Sequence, residues 1–208
     1  TNKDLLAQLE MNPVETYRSV GANGDKVESI IIKPPFFDAA KKYPMIFLVH
    51  GGPQGAWEDN FHYRWNIQLF ASQGYVVVAP NPRGSTGYGQ KFTDEISGDW
   101  GGKPYEDLMT TYDYAIKNFS FIDSKNTFAT GASYGGYMIN WIAGHTDRFN
   151  ALVTHAGVFN LESMYGTTEE LWFPEWENSG TPWQNREMYE KFSPHRFIHN
   201  CKTPMMVV

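Results

Sequence analysis

The strongest constraint on the fold of this chain is an alternation of short apolar runs with segments of helical length, which begins at Met45. Residues 45–49 and 75–79 are continuously apolar, and residues 61–72 between them have the length of a helix. A strand that is apolar on both faces is typical of a parallel sheet covered by helices on both sides. The sequence therefore predicts a βαβ unit in this region.

The alternation continues to the end of the chain. Further strands are predicted at 128–130, 151–154 and 204–208, helices at 105–119 and 134–145, and a hairpin around Asn23-Gly24 within 15–32. The length of 208 residues suits one domain, so the pattern predicts an α/β fold with a doubly wound, mostly parallel sheet. Ligands of such sheets gather at the carboxyl ends of the strands, where functional residues are expected.

Composition narrows the set of partners. The chain has 17 Lys and Arg against 23 Asp and Glu, a net charge of −6, and the charges are scattered, so neither nucleic acid nor a membrane surface is expected as a partner. No apolar run approaches the length of a membrane span, and the first residues carry no signal-peptide pattern. The single cysteine, Cys201, cannot form an internal disulfide or a structural zinc site. No metal or organic cofactor is expected, and the compartment, cytoplasm or periplasm, stays open.

A candidate nucleophile follows the strand predicted at 128–130. Residues 131–136 read Gly-Ala-Ser-Tyr-Gly-Gly and lead into a predicted helix, which is the strand, G-x-S-x-G, helix context of a nucleophile elbow. A serine on such a sharp turn presents its hydroxyl to the crevice beside a helix N-terminus, and flanking glycines avoid collisions with neighbouring elements. The alternative is that Ser133 only caps the helix after a glycine turn.

A second motif bears on the same place. Residues 50–53, His-Gly-Gly-Pro, follow the strand at 45–49, where a loop can lend a backbone N–H to a developing oxyanion. The alternative is an ordinary glycine turn followed by proline. Because the motif follows the expected strand and precedes a serine elbow, the two motifs together favour a catalytic site.

With two further motifs, the chain resembles the prolyl oligopeptidase family of serine peptidases (S9), in its acylaminoacyl-peptidase and dipeptidyl-peptidase V-like branch. The further motifs are Asn-Pro-Arg-Gly-Ser-Thr-Gly-Tyr-Gly at 81–89 and Asp-Trp-Gly-Gly at 99–102, which leads to Asp107, and all four stand in the order and spacing of that branch. The resemblance implies an α/β-hydrolase fold with Ser133 as the nucleophile. It also implies an oxyanion hole formed by the backbone N–H groups of Tyr134 and Gly52, and an N-terminal β-propeller that covers the active site.

The resemblance also implies that the triad aspartate and histidine lie beyond Val208. We therefore expect residues 1–208 to be the α/β-hydrolase catalytic domain, truncated before its last strands and without the propeller, and to be inactive when produced alone. The rival interpretation takes His195 or His199 as the base. Both follow Ser133, but they precede the strand at 204–208, which is early for the histidine of this fold.

Residues 160–190 form the expected specificity region. They contain seven glutamates, one basic residue and six large aromatic residues, of which Tyr165, Trp172 and Phe173 are the candidate substrate-binding residues. Aromatic walls could hold an apolar side chain, and acids could attract a peptide ammonium group. The alternative is an aromatic satellite core under a long loop. For Arg83, a structural tether to backbone carbonyls or to Asp107 is favoured over substrate contact.

The sequence thus predicts a serine peptidase that hydrolyses short peptides through an acyl-enzyme, as an oligopeptidase or a dipeptidyl or acylaminoacyl peptidase. Its expected partners are the peptide substrate and the protein's own propeller and C-terminal segment, and the oligomeric state, including a homo-oligomer, stays open. One alternative is a carboxylesterase on the same fold, because no feature of the chain shows how an amine leaving group is protonated. The other alternative is a catalytically silent binding module of hydrolase fold.

Overall fold

The fold is built on one mixed sheet of seven strands, seen in a computed structural model that describes residues 2–208. The strand order is β1-β2-β4-β3-β5-β6-β7. The strands are β1 (Glu15–Val20), β2 (Lys26–Ile32), β3 (Tyr43–Val49), β4 (Val76–Asn81), β5 (Ile122–Ala132), β6 (Ala151–His155) and β7 (Met205–Val207). Strand β2 runs antiparallel to both of its neighbours, whereas β3 to β7 are mutually parallel. The predicted hairpin and the mostly parallel sheet are confirmed.

Eight α-helices surround the sheet within residues 2–208. They are α1 (Lys3–Leu6), α2 (Ile67–Ser72), α3 (Gln90–Asp94), α4 (Lys103–Asn118), α5 (Tyr134–His145), α6 (Leu161–Thr167), α7 (Trp172–Glu177) and α8 (Arg186–Lys191). None of the helices described there is long and apolar enough to cross a membrane.

The two faces of the sheet belong to two separate apolar clusters, as a doubly wound sheet requires. Phe47 on β3 packs into the larger cluster with α4 and α5, whereas its neighbour Leu48 packs into the smaller cluster with α2. Alternate residues of a strand point to opposite faces, so a strand between two helical layers must be apolar at every position. This is the physical basis of the continuous apolar runs in the sequence.

The helix predicted at 61–72 is shorter than expected, because α2 begins only at Ile67. The preceding residues form a turn in which the Nδ1 atom of His62 accepts hydrogen bonds from the backbone N–H groups of Arg64 (3.1 Å) and Trp65 (2.9 Å). Asn66 then caps the helix, since its side chain accepts from the backbone N–H groups of the first turn. The helical prediction for 61–66 was wrong, because two side chains capture the backbone donors that a longer helix would use.

Glycine is required where α5 approaches the strands. A Cβ atom on Gly135 would lie 2.3 Å from the backbone oxygen of Val49 and 3.0 Å from that of His50. A Cβ atom on Gly131 would lie 2.7 Å from the same Val49 oxygen. These oxygens belong to the backbone at the end of β3 and cannot move without distorting the sheet. The glycines therefore let the start of α5 pack directly against β3 and β5.

We expect Gly135→Ala to destabilise the full-length protein by about 1–3 kcal/mol or more, because overpacking a rigid site forces backbone shifts. Gly166→Ala is the matched control: a Cβ atom there has no heavy atom within 4 Å, and alanine favours the helix. The midpoint of thermal unfolding, measured by calorimetry, should fall for Gly135→Ala and stay or rise for Gly166→Ala. Equal midpoints for the two variants would contradict the close packing of α5.

Candidate active site

Ser133 occupies the turn between the central strand β5 and the helix α5. Its backbone angles are φ 58° and ψ −120°, and its side chain makes no capping hydrogen bond to the helix. The residue is exposed, whereas Tyr134, Gly135 and Gly136 after it are buried. A non-glycine residue in this region of backbone space costs about 1–3 kcal/mol, which the surroundings must impose. The arrangement is the predicted strand, turn and helix, and an ordinary N-cap does not describe Ser133.

The backbone around Ser133 is held on both sides. Its N–H group donates to the carbonyl of His155 at the end of β6 (3.1 Å), and its carbonyl accepts from the N–H group of Tyr137 in the first turn of α5 (2.8 Å). Tyr134 is the first residue of α5, where a backbone N–H group has no partner within the helix. The start of α5 therefore offers donors beside the Ser133 hydroxyl, in the geometry that favours an anion.

The 50–53 loop after β3 lies against Ser133. A Cβ atom on Gly51 would lie 3.3 Å from the Ser133 Cβ atom and 2.9 Å from the backbone oxygen of Ala132, so this approach requires glycine. The next residue, Gly52, has φ +125°, a backbone conformation that side chains rarely adopt. The loop predicted to serve the site is thus beside the candidate nucleophile, and the convergence of the Gly52 and Tyr134 N–H groups on one point stays a prediction.

His50 holds this loop through hydrogen bonds of its buried imidazole ring. Its Nδ1 atom donates to the carbonyl of Gly51 (2.7 Å), because a carbonyl can only accept, and its Nε2 atom then accepts from the hydroxyl of Ser85 (2.8 Å). Burial lowers the pKa of His50, although the bond to Gly51 acts in the opposite direction. A neutral imidazole with both nitrogen atoms engaged is a structural support of the loop.

Arg83 in the 81–89 loop is fully buried and binds protein groups only. Its guanidinium donates to Glu95 (2.7 Å), to Asp107 (2.8 Å), to the carbonyl of Ala22 (2.8 Å) and to Asp25. Asp107 is also fully buried and accepts from the backbone N–H groups of Ala22 and Arg83. The predicted structural role of Arg83 is confirmed, and the partners include the predicted Asp107.

The aromatic residues predicted to bind substrate lie in different surroundings. The ring of Phe173 lies 5.9 Å from the ring of Trp100, and Trp100 in turn contacts Tyr134 at 5.2 Å, so Phe173 belongs to the packing beside the elbow. Trp172 is 68% exposed on the surface of α7. Tyr165 donates to Glu175 (2.8 Å) and packs on Trp183, and all three residues belong to 160–190, which form an insertion after β6. Substrate binding by these three residues stays a prediction.

Tyr134 is fixed by its side chain as well as by its place in the helix. Its hydroxyl donates to the carbonyl of Trp100 (2.8 Å), and burial, followed by the nearby Tyr137, raises its pKa well above the ordinary value for tyrosine. The phenol therefore stays protonated and keeps its donor role. The Trp100 segment therefore holds the side chain of Tyr134 in place.

Glu177 at the end of α7 is buried against the same segments. Its Oε1 atom accepts from the side-chain amide of Gln54 (2.7 Å), and its Oε2 atom accepts from the indole N–H group of Trp100 (2.7 Å). The Ser97 hydroxyl lies 3.3 Å from each oxygen. The backbone carbonyl of Glu177 also accepts from the N–H group of Gly98 (2.7 Å). One carboxylate thus joins the insertion to Gln54, directly after the 50–53 loop, and to Trp100.

Of the four histidines after Ser133, His155 lies next to it: its carbonyl accepts the Ser133 N–H group, and its ring lies 6.0 Å from the ring of Trp65. The other three are bound or packed against other residues or exposed. The Nδ1–H group of His145 donates to the carbonyl of Trp141 (2.7 Å), and the two rings stack with their centres 4.0 Å apart. His195 lies against Phe159, and His199 is exposed. Within residues 2–208 the side chains form no group of three or more His, Cys, Asp or Glu that could hold a metal ion.

The family is decided by a sequence comparison. Residues 61–208, which are most of the chain, match the profile of the prolyl oligopeptidase family. This chain belongs to the prolyl oligopeptidase family. Its sheet and helices match the α/β-hydrolase fold of a solved acylaminoacyl peptidase, that of Pyrococcus horikoshii, with a TM-score of 0.91 and 30% identity over 99% of this chain and 33% of that one.

Two further comparisons cover nearly the whole chain. Dipeptidyl-peptidase 5 of Schizosaccharomyces pombe is 50% identical over 190 residues, which are 90% of this chain and 28% of that protein. An acylaminoacyl peptidase solved in complex with Z-Gly-Gly-Phe-chloromethyl ketone has a TM-score of 0.91 and 30% identity, over 99% of this chain and 33% of that one. The chain spans about a third or less of the length of these relatives.

Sequence reasoning missed the residues that support the site. Glu177 is one of seven glutamates in 160–190, and nothing in its local pattern distinguishes it from the exposed ones. Trp100 belongs to a motif used for the resemblance, but the motif does not indicate that its indole N–H group needs an acceptor. In this member of the prolyl oligopeptidase family, the turn at Ser133 can be predicted from sequence, whereas the contacts by which the insertion supports it cannot.

Proposed function

We propose that the full-length protein hydrolyses short peptides by acyl transfer through Ser133, as an oligopeptidase or a dipeptidyl or acylaminoacyl peptidase. The observation that carries this proposal is the strained, exposed Ser133 between β5 and α5, with its side chain free of any capping bond to the helix. A serine hydroxyl kept out of helix capping, at the carboxyl end of a parallel strand, is positioned to attack a bound carbonyl carbon.

The proposed reaction has two halves. The Ser133 Oγ atom attacks the scissile carbonyl carbon while a histidine accepts its proton, and the N–H groups of Tyr134 and Gly52 stabilise the oxyanion. The intermediate collapses when the histidine returns the proton to the leaving amine and the C–N bond breaks. Water then hydrolyses the acyl-enzyme by the same route and restores Ser133. We propose that the histidine and its aspartate come from the part of the protein after Val208, as the family resemblance implies.

The proposed substrate class rests on the relatives and on the surface near the site. The similar proteins are named as dipeptidyl and acylaminoacyl peptidases, and one was solved with a peptidyl chloromethyl ketone. Phe173 and Trp172 supply aromatic surface at the insertion for an apolar side chain. We propose that Tyr165 contributes less directly, since its hydroxyl is already bound to Glu175.

The proposed domain organisation follows from the lengths of the relatives. Because the chain spans 28% of dipeptidyl-peptidase 5 of Schizosaccharomyces pombe, we propose that these residues supply the hydrolase domain of a longer peptidase. The β-propeller and the remaining triad residues would then belong to other parts of that protein. Experiments on activity therefore use the longest reading frame that encodes this sequence.

The test compares two leaving groups. We expect the full-length protein to hydrolyse aminoacyl-dipeptide amides and N-acyl-aminoacyl amides, since a peptidase must protonate an amine that an esterase never meets. Release of a chromogenic amine is measured beside release of an alcohol from short acyl esters. Hydrolysis of esters alone would favour a carboxylesterase. No turnover and no labelling by a fluorophosphonate would favour a silent binding module.

A further inference from the structure

We propose that Glu177 is a positioning residue that holds both donors of the oxyanion hole. The proposal rests on the proposed function, because it assigns the hole to the N–H groups of Gly52 and Tyr134. Glu177 is 2% exposed, so it does not touch substrate; it acts through the groups that its two carboxylate oxygens bind.

The first of these groups leads to Gly52. Oε1 of Glu177 accepts from the side-chain amide of Gln54, which follows Gly52 by two positions in the same loop. Pro53 between them is buried, and an added Cβ atom on Gly52 would lie only 2.5 Å from the Gln54 backbone nitrogen. Because the loop is this tight, a displacement of Gln54 moves the peptide plane that carries the Gly52 N–H group.

The second group leads to Tyr134. Oε2 of Glu177 accepts from the indole N–H group of Trp100, and the Trp100 carbonyl accepts from the hydroxyl of Tyr134. The Trp100 and Tyr134 rings also pack edge to face with their centres 5.2 Å apart. If the Trp100 ring lost its acceptor and rotated, the contact that fixes Tyr134 would change with it.

The chemistry of the acceptor explains why a carboxylate is present. Two strong donors, each at 2.7 Å, bind different oxygens of Glu177, and the nearby Ser97 hydroxyl lies 3.3 Å from both. An amide side chain has one acceptor oxygen and could not serve both donors in this orientation. These donors are all neutral. Burying a carboxylate among neutral donors costs free energy of folding, because no cation offsets the loss of hydration. A residue whose only role was stability would not need to be a carboxylate.

Two variants test the proposal: one removes both carboxylate oxygens, and the other removes only the donor that binds Oε1. Glu177→Leu removes both acceptors at similar volume, and Gln54→Met removes the tie to the loop at an exposed position with little risk to folding. Since one oxyanion donor is worth about 10²–10³ in kcat, we expect a partial displacement to lower kcat by about 10–100-fold for Glu177→Leu and about tenfold for Gln54→Met. KM should change less than about threefold, because ground-state contacts are untouched. Glu177→Gln restores one acceptor oxygen and should recover only part of the rate lost in Glu177→Leu, because one of the two donors stays without an acceptor.

A second readout excludes a merely structural role. The nucleophilic oxygen adds to the carbonyl carbon of a peptidyl trifluoromethyl ketone and forms a tetrahedral oxyanion. The inhibition constant of this ketone should therefore rise in parallel with the fall in kcat/KM. Binding of the product peptide should not change. Asn178→Ala is the matched control: Asn178 is equally buried at the end of the same helix, but its side chain donates to the Pro174 carbonyl within the insertion. It should lower the unfolding midpoint while leaving kcat and inhibitor affinity as they are.

The outcomes are distinguishable. The proposal is overturned if Gln54→Met keeps kcat and inhibitor affinity within about threefold of the parent protein, whether or not Glu177→Leu folds. It is also overturned if Asn178→Ala lowers kcat as much as Glu177→Leu does. Activity that survives Ser133→Ala would instead overturn the proposed function, and that result does not depend on Glu177.

Discussion

Ser133→Ala in the full-length protein is expected to lower kcat for peptide amides by about 10⁴–10⁶-fold, the largest effect of any single change in this chain. The substitution removes the attacking oxygen and leaves the turn between β5 and α5 intact. Labelling by a fluorophosphonate should disappear completely, because the phosphonyl group has no oxygen to bond. The measurements are steady-state turnover and the mass of the labelled tryptic peptide that contains residue 133.

The control for this substitution is Ser179→Ala. Ser179 is also an exposed serine at positive φ, 57°, but it lies in the insertion rather than at the end of a parallel strand. We expect it to retain turnover and labelling. Persistent labelling of Ser133→Ala would show that another residue is the nucleophile, and the function proposed through Ser133 would be wrong.

Arg83→Met is expected to destabilise the protein by about 3–5 kcal/mol, because it leaves the buried carboxylate of Asp107 without its guanidinium partner. Methionine keeps the length of the side chain and removes every guanidinium donor. Asp107 would then keep only its two backbone donors, while its side chain stays fully inaccessible to water. For a domain of this size, the loss corresponds to about 6–20 °C in the unfolding midpoint. Calorimetry of the full-length protein measures it.

Two companions make this prediction specific. Arg148→Met removes an arginine whose ion pair with Asp113 (2.8 Å) is exposed on both sides, so the expected loss is at most about 1 kcal/mol. The double variant Arg83→Met with Asp107→Asn should recover part of the loss, because the buried charge leaves together with its partner. Equal midpoints for Arg83→Met and Arg148→Met would refute a special role for the buried network.

Part of the candidate site could be predicted from the sequence, and part could not. Ser133 and the 50–53 loop were predicted from residue type and spacing, and the structure brings them within van der Waals reach of each other. The supports of that loop were not predicted. The bond between Gln54 and Glu177 joins residues 123 positions apart, and the bond between Trp100 and Glu177 joins residues 77 positions apart. No local pattern encodes which of seven glutamates meets a distant donor.

By itself, the sequence determined the elements and the chemistry of the turn. Continuous apolar runs determine strands buried on both faces, and glycines around a serine permit a turn that other residues would block; both effects act within a few residues. The start of α2 at Ile67 is local as well, because His62 and Asn66 hydrogen-bond backbone donors only two or three residues away, although the apolar pattern did not show it. Tertiary structure alone decided which charged side chains are buried, because burial depends on the packing of segments far apart in the chain. Only that packing brings Glu177 to Gln54, directly after the 50–53 loop.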